Sequence, residues 1–511
     1  MASKLPLHTQ RRLQQHAAQS FGAFSGPGLD GGPRSPMNAR WVTVPRSADA
    51  DILRSLPRLR AESRELRAYS PIGGGAITTN LNRVVGTGLQ PVFQPVASVL
   101  GWNEDQAAAW AETAANEFSL WADSAECDWD GVQTFYERQA SVLDGRLTSG
   151  DCFTVLPDAP NASRTQPYKL RLQLLEADRC GNPSGVQDSD TVVAGVRRSQ
   201  PGAGPDGYFI YTRHPGSSYG ADRFAGQWYE RIGSRSGRRR VLHHYRPMRP
   251  EQTRGVPYLA SVIQTIKDLG RFTEAEITAA VINAFFTTFI ETEGATGPAP
   301  VFGANAGQGP AGDEIELGPA AVVGLAKGEK ATFADPKRPN PNAEAFVMGM
   351  LKLIGMGLGI PFEVLIKTFN SSYSASKAAL LDAWMHFRTE RAWLVNSFCQ
   401  PVAETWMAEA IMLGRIKAPG FFTDPLVRWA YTRIAWHGDS QGSINPKDEV
   451  DAYTAAIDGR LMTRERAEWE LFGSDWHRTF PAKKREQDML RKADLLPAPK
   501  AGAPAPAPAK A

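Results

Sequence analysis

Ser374-Ala375-Ser376-Lys377 sets a hydroxyl three positions before an amine, the S-x-x-K pattern of serine acyl-transfer enzymes. That chemistry needs a base to draw the proton from the serine and further groups to hold the acyl carbonyl. Neither a KTG nor a Ser-Asp-Asn triplet follows in the order that fold requires. Gly216-Ser217-Ser218-Tyr219-Gly220 fits the G-x-S-x-G nucleophile pattern, which demands a strand running into the turn and a helix after it. Pro215 stands directly before it. Gly202-Ala203-Gly204-Pro205-Asp206-Gly207 spells G-x-G-x-x-G, but Pro205 and the lack of a βαβ frame argue against a dinucleotide site. No G-x-x-x-x-G-K-[ST] phosphate loop occurs. Cys127, Cys152, Cys180 and Cys399 are widely scattered with no CxxC pair, which predicts buried free thiols in a reducing compartment rather than a zinc site or disulfides. The expectation is a chain without catalytic residues, metal or cofactor.

The 511 residues suffice for several domains, and 42% apolar with 22% charged content fits a globular chain. No run approaches the ~18 to 20 apolar residues of a membrane helix, so no membrane partner is expected. A net charge of +3 does not mark a strongly basic nucleic-acid binder. It remains compatible with a pore through which a duplex slides, since every neutralised phosphate adds grip through counterion release.

Around these candidates the chain changes texture several times. Residues 1–45 are rich in Gly, Pro, Ser and Gln and read as a disordered arm. Asp51 to Leu66 reads as a helix with one basic side, carrying Arg54, Arg58, Arg60, Arg64 and Arg67, either solvated or turned to a partner. Glu104 to Asp123 is an amphipathic helix through Trp110, Ala114, Phe118 and Trp121, and another helix covers Gln133 to Leu147. From Gly150 to Tyr245, strand-like segments at 152–156, 169–175, 208–213 and 241–245 alternate with turn residues. A long helix is predicted from Pro257 to Phe289, a Gly/Pro-rich insertion with strand-like pieces at 314–317 and 331–333 follows, and a second apolar helix covers 342–355. Gly357, Gly359 and Pro361 break it. A polar, flexible opening of Ser372, Tyr373, Ser374 and Ser376 then leads into a long helix to Leu413. On it Leu381, Met385, Ala392, Val395, Cys399, Val402 and Trp406 fall on one stripe, with Asp382, Arg388, Glu390 and Arg391 elsewhere. Pro401 predicts a kink. Trp429, Tyr431 and Trp436 precede helices over 449–458, 463–472 and 481–494, and the tail from Leu496 reads as extended polyproline-like chain.

Four passages in this order resemble the bacteriophage portal proteins of the lambda-like branch: NRVVGTGL at 82–89, RPEQTRGVP at 249–257, GLGIPFEVL through SSYSASKA at 357–378, and NPKDEVDAY at 445–453. The resemblance implies an α+β portal fold with a β-rich wing, paired stem helices, a small α/β clip, a long kinked wing helix and a helical crown, assembled as a ring. Its implied division is wing at 46–255, stem helices at 256–290 and 341–360, and clip at 291–340. A tunnel loop at 361–377, the kinked wing helix with the rest of the wing at 378–443, crown at 444–495 and tail at 496–511 complete it. It further implies a homo-oligomer, usually a dodecamer, that forms the DNA channel at one vertex of a phage head. The implied partners are double-stranded DNA, the terminase large subunit, the major capsid protein or scaffold, and a head-tail adaptor. In that frame Lys367, Asn370, Ser371, Ser372, Tyr373, Ser374 and Lys377 form the tunnel loop, whose hydroxyls touch passing phosphate weakly. Lys267 and Arg271 stand against Asp268, Glu274, Glu276, Glu291 and Glu293, so Glu274 and Glu276 are candidate lumen-facing acids. A serine hydrolase on Ser374/Lys377 or Ser218, and another capsid or scaffold assembly protein, are the alternatives.

Overall fold

The computed structural model describes residues 45–159, 165–218, 223–284, 288–292, 329–333, 342–369, 372–440, 446–473 and 476–493. The first part of the body is helical. α1 (Leu56–Tyr69) and α2 (Pro71–Val84) meet at Ser70, which caps α2 through Gly73 N. Gly86 (φ +58°) and Gly88 (φ +109°) then turn the chain into β1 (Gln90–Phe93). A Cβ on Gly86 would meet Asp439 Oδ2 at 1.9 Å, so this turn of the VVGTGL passage needs glycine. α3 (Glu104–Ala122) and α4 (Phe135–Ser149) both open with a capping box, built by Asn103/Gln106 and Thr134/Glu137.

The predicted β-rich segment forms two sheets. β2 (Asp151–Val155) lies between β3 (Gln173–Glu176) and a later strand, β8, all antiparallel. β4 (Val192–Val193), β5 (Val196–Arg198), β6 (Pro205–Tyr211) and β7 (Gly226–Glu230) form an antiparallel meander. β8 (Val241–Tyr245) closes the first sheet. Phe153, Val155, Leu175 and Val241 of the first sheet share a buried cluster with Val196, Tyr208 and Ile210 of the second, so the two sheets pack on one another.

α5 (Ile263–Ala284) ends earlier than the expected 257–289 helix, and β9 (Thr288–Thr292) follows. Aromatic and β-branched residues dominate 285–290, which favours strand. β9 pairs antiparallel with β10 (Glu329–Phe333), and the expected strand at 314–317 lies outside the described residues. α6 (Ala343–Leu358) returns beside α5. Phe272 meets Phe346 with ring centroids 4.6 Å apart, and Ser261 donates to Gly357 O. These two contacts fix an antiparallel hairpin.

α7 (Phe362–Ile366) is a short turn of helix before α8 (Tyr373–Leu394). A π-helical turn at Val395–Cys399 joins α8 to α9 (Gln400–Met412), so the irregularity predicted at Pro401 takes the form of a π-bulge immediately before it. The expected single apolar stripe does not run through both halves of this helix. Phe398, Cys399, Val402 and Trp406 are buried, but Leu381 and Met385 are 49% and 65% exposed. Ala383, Trp384, Phe387, Glu390 and Leu394 form the inward face instead. The extra residue of the bulge shifts the helical phase, so a uniform period cannot hold on both sides. α10 (Pro425–Tyr431), β11 (Ile434–His437, paired with β1), α11 (Pro446–Asp458), α12 (Arg464–Phe472) and α13 (Trp476–Lys492) complete the described chain. The main core gathers Phe118, Trp121, Phe135, Phe398 and Trp406, with Phe118 edge-on to Trp406 at 4.9 Å.

Candidate functional site

The root of the α5–α6 hairpin is fixed by a buried charge cluster. Asp151, at the start of β2, is inaccessible to solvent and accepts from Arg60 Nη2 (2.7 Å), Arg254 Nε (2.6 Å), His243 Nε2 (3.1 Å) and Gly255 N (3.2 Å). Arg254 also donates to the carbonyls of Cys180, Ala194 and Ala177. Burial alone would raise the Asp151 carboxyl, but Arg254 and Arg60 override it and hold it well below the usual carboxylate range. A Cβ on Gly255 would lie 2.0 Å from Gly150 O, which explains glycine in the RPEQTRGVP passage. Thr253 of the same passage donates to Asp49 at 2.5 Å.

The basic residues of this region therefore divide: Arg54 and Arg58 are exposed to solvent, while Arg60, Arg64 and Arg67 turn to acidic partners in the body. Arg60 reaches Asp151, Arg64 ion-pairs with Asp178, and Arg67 lies 3.1 Å from Asp144. The arginines were legible in the sequence, but their partners lie 77 to 114 positions away. A second buried tie holds the long helix: Glu390, at 3% exposure, pairs with Arg146 and with Arg246 at 2.8 Å.

The distal part of the hairpin stands apart from this body. Ile263, Ile266 and Leu269 are buried at the base of α5, but Ile277 and Val281 are 64% and 51% exposed. At the base of the hairpin, close to the Ser261–Gly357 bond, Leu353 and Met356 of α6 are also 58% and 80% exposed. Glu274 is exposed and Glu276 half-buried on the same stretch of α5. Lys267, nearer the base, lies 3.5 Å from Glu62.

The expected tunnel loop is shorter than its sequence suggested. Lys367 is exposed and left-handed (φ +56°) at the end of α7. Asn370 and Ser371 lie outside the described residues. Ser372 is the N-cap of α8 and accepts from Ala375 N at 3.4 Å, so Tyr373, Ser374, Ser376 and Lys377 are its first turns rather than open loop. The capping hydroxyl extends the helix N-terminally. Ser374 is exposed and Lys377 half-buried.

The other chemical motifs do not acquire a catalytic setting. Ser218 sits in an exposed bend after Pro215, and Gly202 begins a turn leading into strand β6, not a helix. The cysteines are free and buried, and burial pushes the Cys127 and Cys180 thiols up to about 12 and about 11. Among the described residues, Glu176, Asp178 and His214 bring ligand atoms within 4.8 Å of one another. Arg64 already sits on Asp178, and Arg60 lies 3.6 Å from it. A divalent ion there would meet fixed positive charge, so the group is an ion-pair network.

With this architecture in view, comparison with known proteins is decisive. The family described as phage portal protein, lambda family, matches residues 34–391. The chain belongs to the lambda family of phage portal proteins. The portal protein of Escherichia phage N15 is 24% identical over 480 residues, with 89% of each chain covered. Portal protein B of Escherichia phage lambda is 24% identical over 506 residues, covering 95% of this chain and 92% of that one. Among solved structures, a native gene transfer agent virion contains a chain with TM-score 0.43 and 12% identity, covering 84% of this chain and 93% of that one. A portal protein of the HK97 family from Corynebacterium diphtheriae gives TM-score 0.30 and 11% identity, covering 63% and 84%. Portal proteins are structural components of the virion, not enzymes, and form ring oligomers. The serine-hydrolase alternative finds no support in this family. No described helix is long and apolar enough to cross a membrane.

Proposed function

We propose that this portal protein forms a closed ring, a dodecamer, around the channel by which DNA enters and leaves a phage head at one vertex. The ring nucleates head assembly with capsid or scaffold protein, docks the terminase large subunit, and later joins the tail through an adaptor. Within the described chain, exposed apolar side chains at both ends of the α5–α6 hairpin carry this reading. Ile277, Val281, Leu353 and Met356 are all more than half exposed, and neighbouring copies packed side by side would cover them. Residues 256–290 and 341–360 are then the stem, 291–340 the clip that meets the motor, 361–377 the tunnel loop and 444–495 the crown.

Glu274 and Glu276 line the lumen in this reading and repel the duplex, and the loop from Lys367 to Lys377 makes its transient contacts. One basic residue at each end and hydroxyls between them favour sliding over gripping. Negative-stain electron microscopy with native mass measurement tests the proposal. Closed rings with a hole wide enough for duplex DNA support it, whereas open filaments or shells formed under head-assembly conditions overturn it.

A further inference from the structure

A groove of about 320 Å³ lies between the β1–β11 ribbon and helices α12 and α13. Its walls are Val92 and His437 from the ribbon, Trp469 from α12 and Trp476 from the start of α13, with Glu465, Arg466 and Glu470 as its charged residues, a net of one negative charge. The His437 ring rests against Trp469. Glu470 accepts from the Tyr453 hydroxyl at 2.8 Å and from Arg466 Nε at 3.0 Å, and these bonds hold its carboxyl below the usual range although burial opposes them. Flat aromatic walls with an acidic edge are the chemistry that receives proline-rich extended chain, whose backbone is already ordered and whose rings stack on indole.

The same chain carries such a segment. Residues 494–511 read DLLPAPKAGAPAPAPAKA, with Pro504, Pro506 and Pro508 alternating with alanine and lysines at 500 and 510. α13 begins at the groove and, with 17 residues, carries the chain ~25 Å away from it. At ~3.1 Å per residue, about eight extended residues span that return distance. The next stretch, Pro504 to Pro508, is then level with Trp469 and Trp476, and Lys510 reaches the acidic edge. We propose that the Ala-Pro segment ending at Lys510 folds back and docks as a polyproline-type strand in the Trp469/Trp476 groove of its own subunit. Alanine and proline are narrow enough for a cleft of this size, and one lysine offsets the net negative charge left by Glu465, Glu470 and Arg466. The docked tail would clamp α13 against the ribbon.

The test uses a fluorescein-labelled peptide of residues 494–511 and two versions of the protein, the full chain and a chain ending at residue 493. Circular dichroism and thermal melting first establish that the shortened chain is folded. Saturable binding to the shortened chain, weakened about tenfold or more on the full chain whose own tail holds the groove, is the expected result. A peptide carrying Pro504→Ala, Pro506→Ala and Pro508→Ala should lose binding, and this arm needs no change to the protein. Trp469→Ala in the shortened chain should abolish binding as well. Absence of saturable binding to the shortened chain overturns the proposal, as does full binding by the alanine peptide. Equal binding by the two protein versions overturns docking within one subunit, because it leaves the groove of the full chain open.

Discussion

Arg254 holds its Nε 2.6 Å from Asp151 Oδ2 at a site where the two side chains are 2% and 0% exposed. The pair joins the connector before α5 to the start of β2 and draws in Arg60 from α1. Breaking such a pair strands a charge in a medium that solvates it poorly. Asp151→Asn should therefore destabilise the fold by about 3–5 kcal/mol, read as a loss in denaturant midpoint with little change in slope. A loss below about 1 kcal/mol would mean that water reaches the cluster.

The stem prediction separates stability from assembly. Ile277→Asp and Met356→Asp change exposed positions, so the subunit should unfold within about 0.5 kcal/mol of the parent. Ring formation should fail, because each interface would bury an unpaired carboxylate. Native mass spectrometry reads the outcome, and rings that persist in both variants would remove these positions from the interface.

Glu274→Gln combined with Glu276→Gln should leave rings intact but make them retain linear duplex more tightly at low salt. The retention should weaken steeply as salt rises, since released counterions drive it. Gel-shift titration across salt concentrations checks this, and unchanged retention would place both acids away from the lumen.

His244 is buried opposite Thr154, with Nε2 and Oγ1 2.8 Å apart, and burial pushes its pKa down to about 3. The folded state keeps the ring neutral while the unfolded chain takes up a proton below about pH 6.5. Stability is thus full above that pH and falls as the solution is acidified toward pH 3. Between pH 7 and pH 5 the loss should be about 2 kcal/mol. His244→Gln should flatten that slope in denaturant titrations at the two pH values.

Gly255→Ala would drive a methyl into the Gly150 carbonyl, 2.0 Å from the ideal Cβ position. Backbone faces backbone there, so no side-chain rotation relieves the clash. A loss on the order of 2 kcal/mol or more is expected, visible as a lowered melting temperature.

The portal family was legible because four passages sit in one order along the chain, and two of them do structural work that spacing cannot show. VVGTGL is a glycine turn held by Asp439, and RPEQTRGVP delivers Arg254 and Gly255 to Asp151. Glu104–Ala122, capped by Asn103, lies within a residue of its expected bounds, and Phe135–Ser149, capped by Thr134, is displaced by two. Long-range pairing stayed hidden. Nothing near Arg64 announces Asp178, and nothing near Glu390 announces Arg146, 244 positions earlier. The inward face of α8 was misassigned because a π-bulge leaves no mark in hydrophobic periodicity. The serines at 372–376 read as loop because small polar residues favour loops and helix caps alike.

The cluster around Asp151 also sets an order of events during synthesis. Asp151 bonds Arg60, 91 positions behind it, and Arg254, 103 positions ahead. A nascent chain that has made Arg60 and Asp151 holds only part of the cluster, and the carbonyls of Ala177, Cys180 and Ala194 still await their donor. Contacts this distant in sequence close late. The Asp151 cluster is therefore completed only when the connector emerges, immediately before translation of the α5–α6 hairpin. The carboxylate cluster thus closes ahead of the hairpin, whereas Phe398, Trp406 and β11, which complete the main core and the ribbon, follow it.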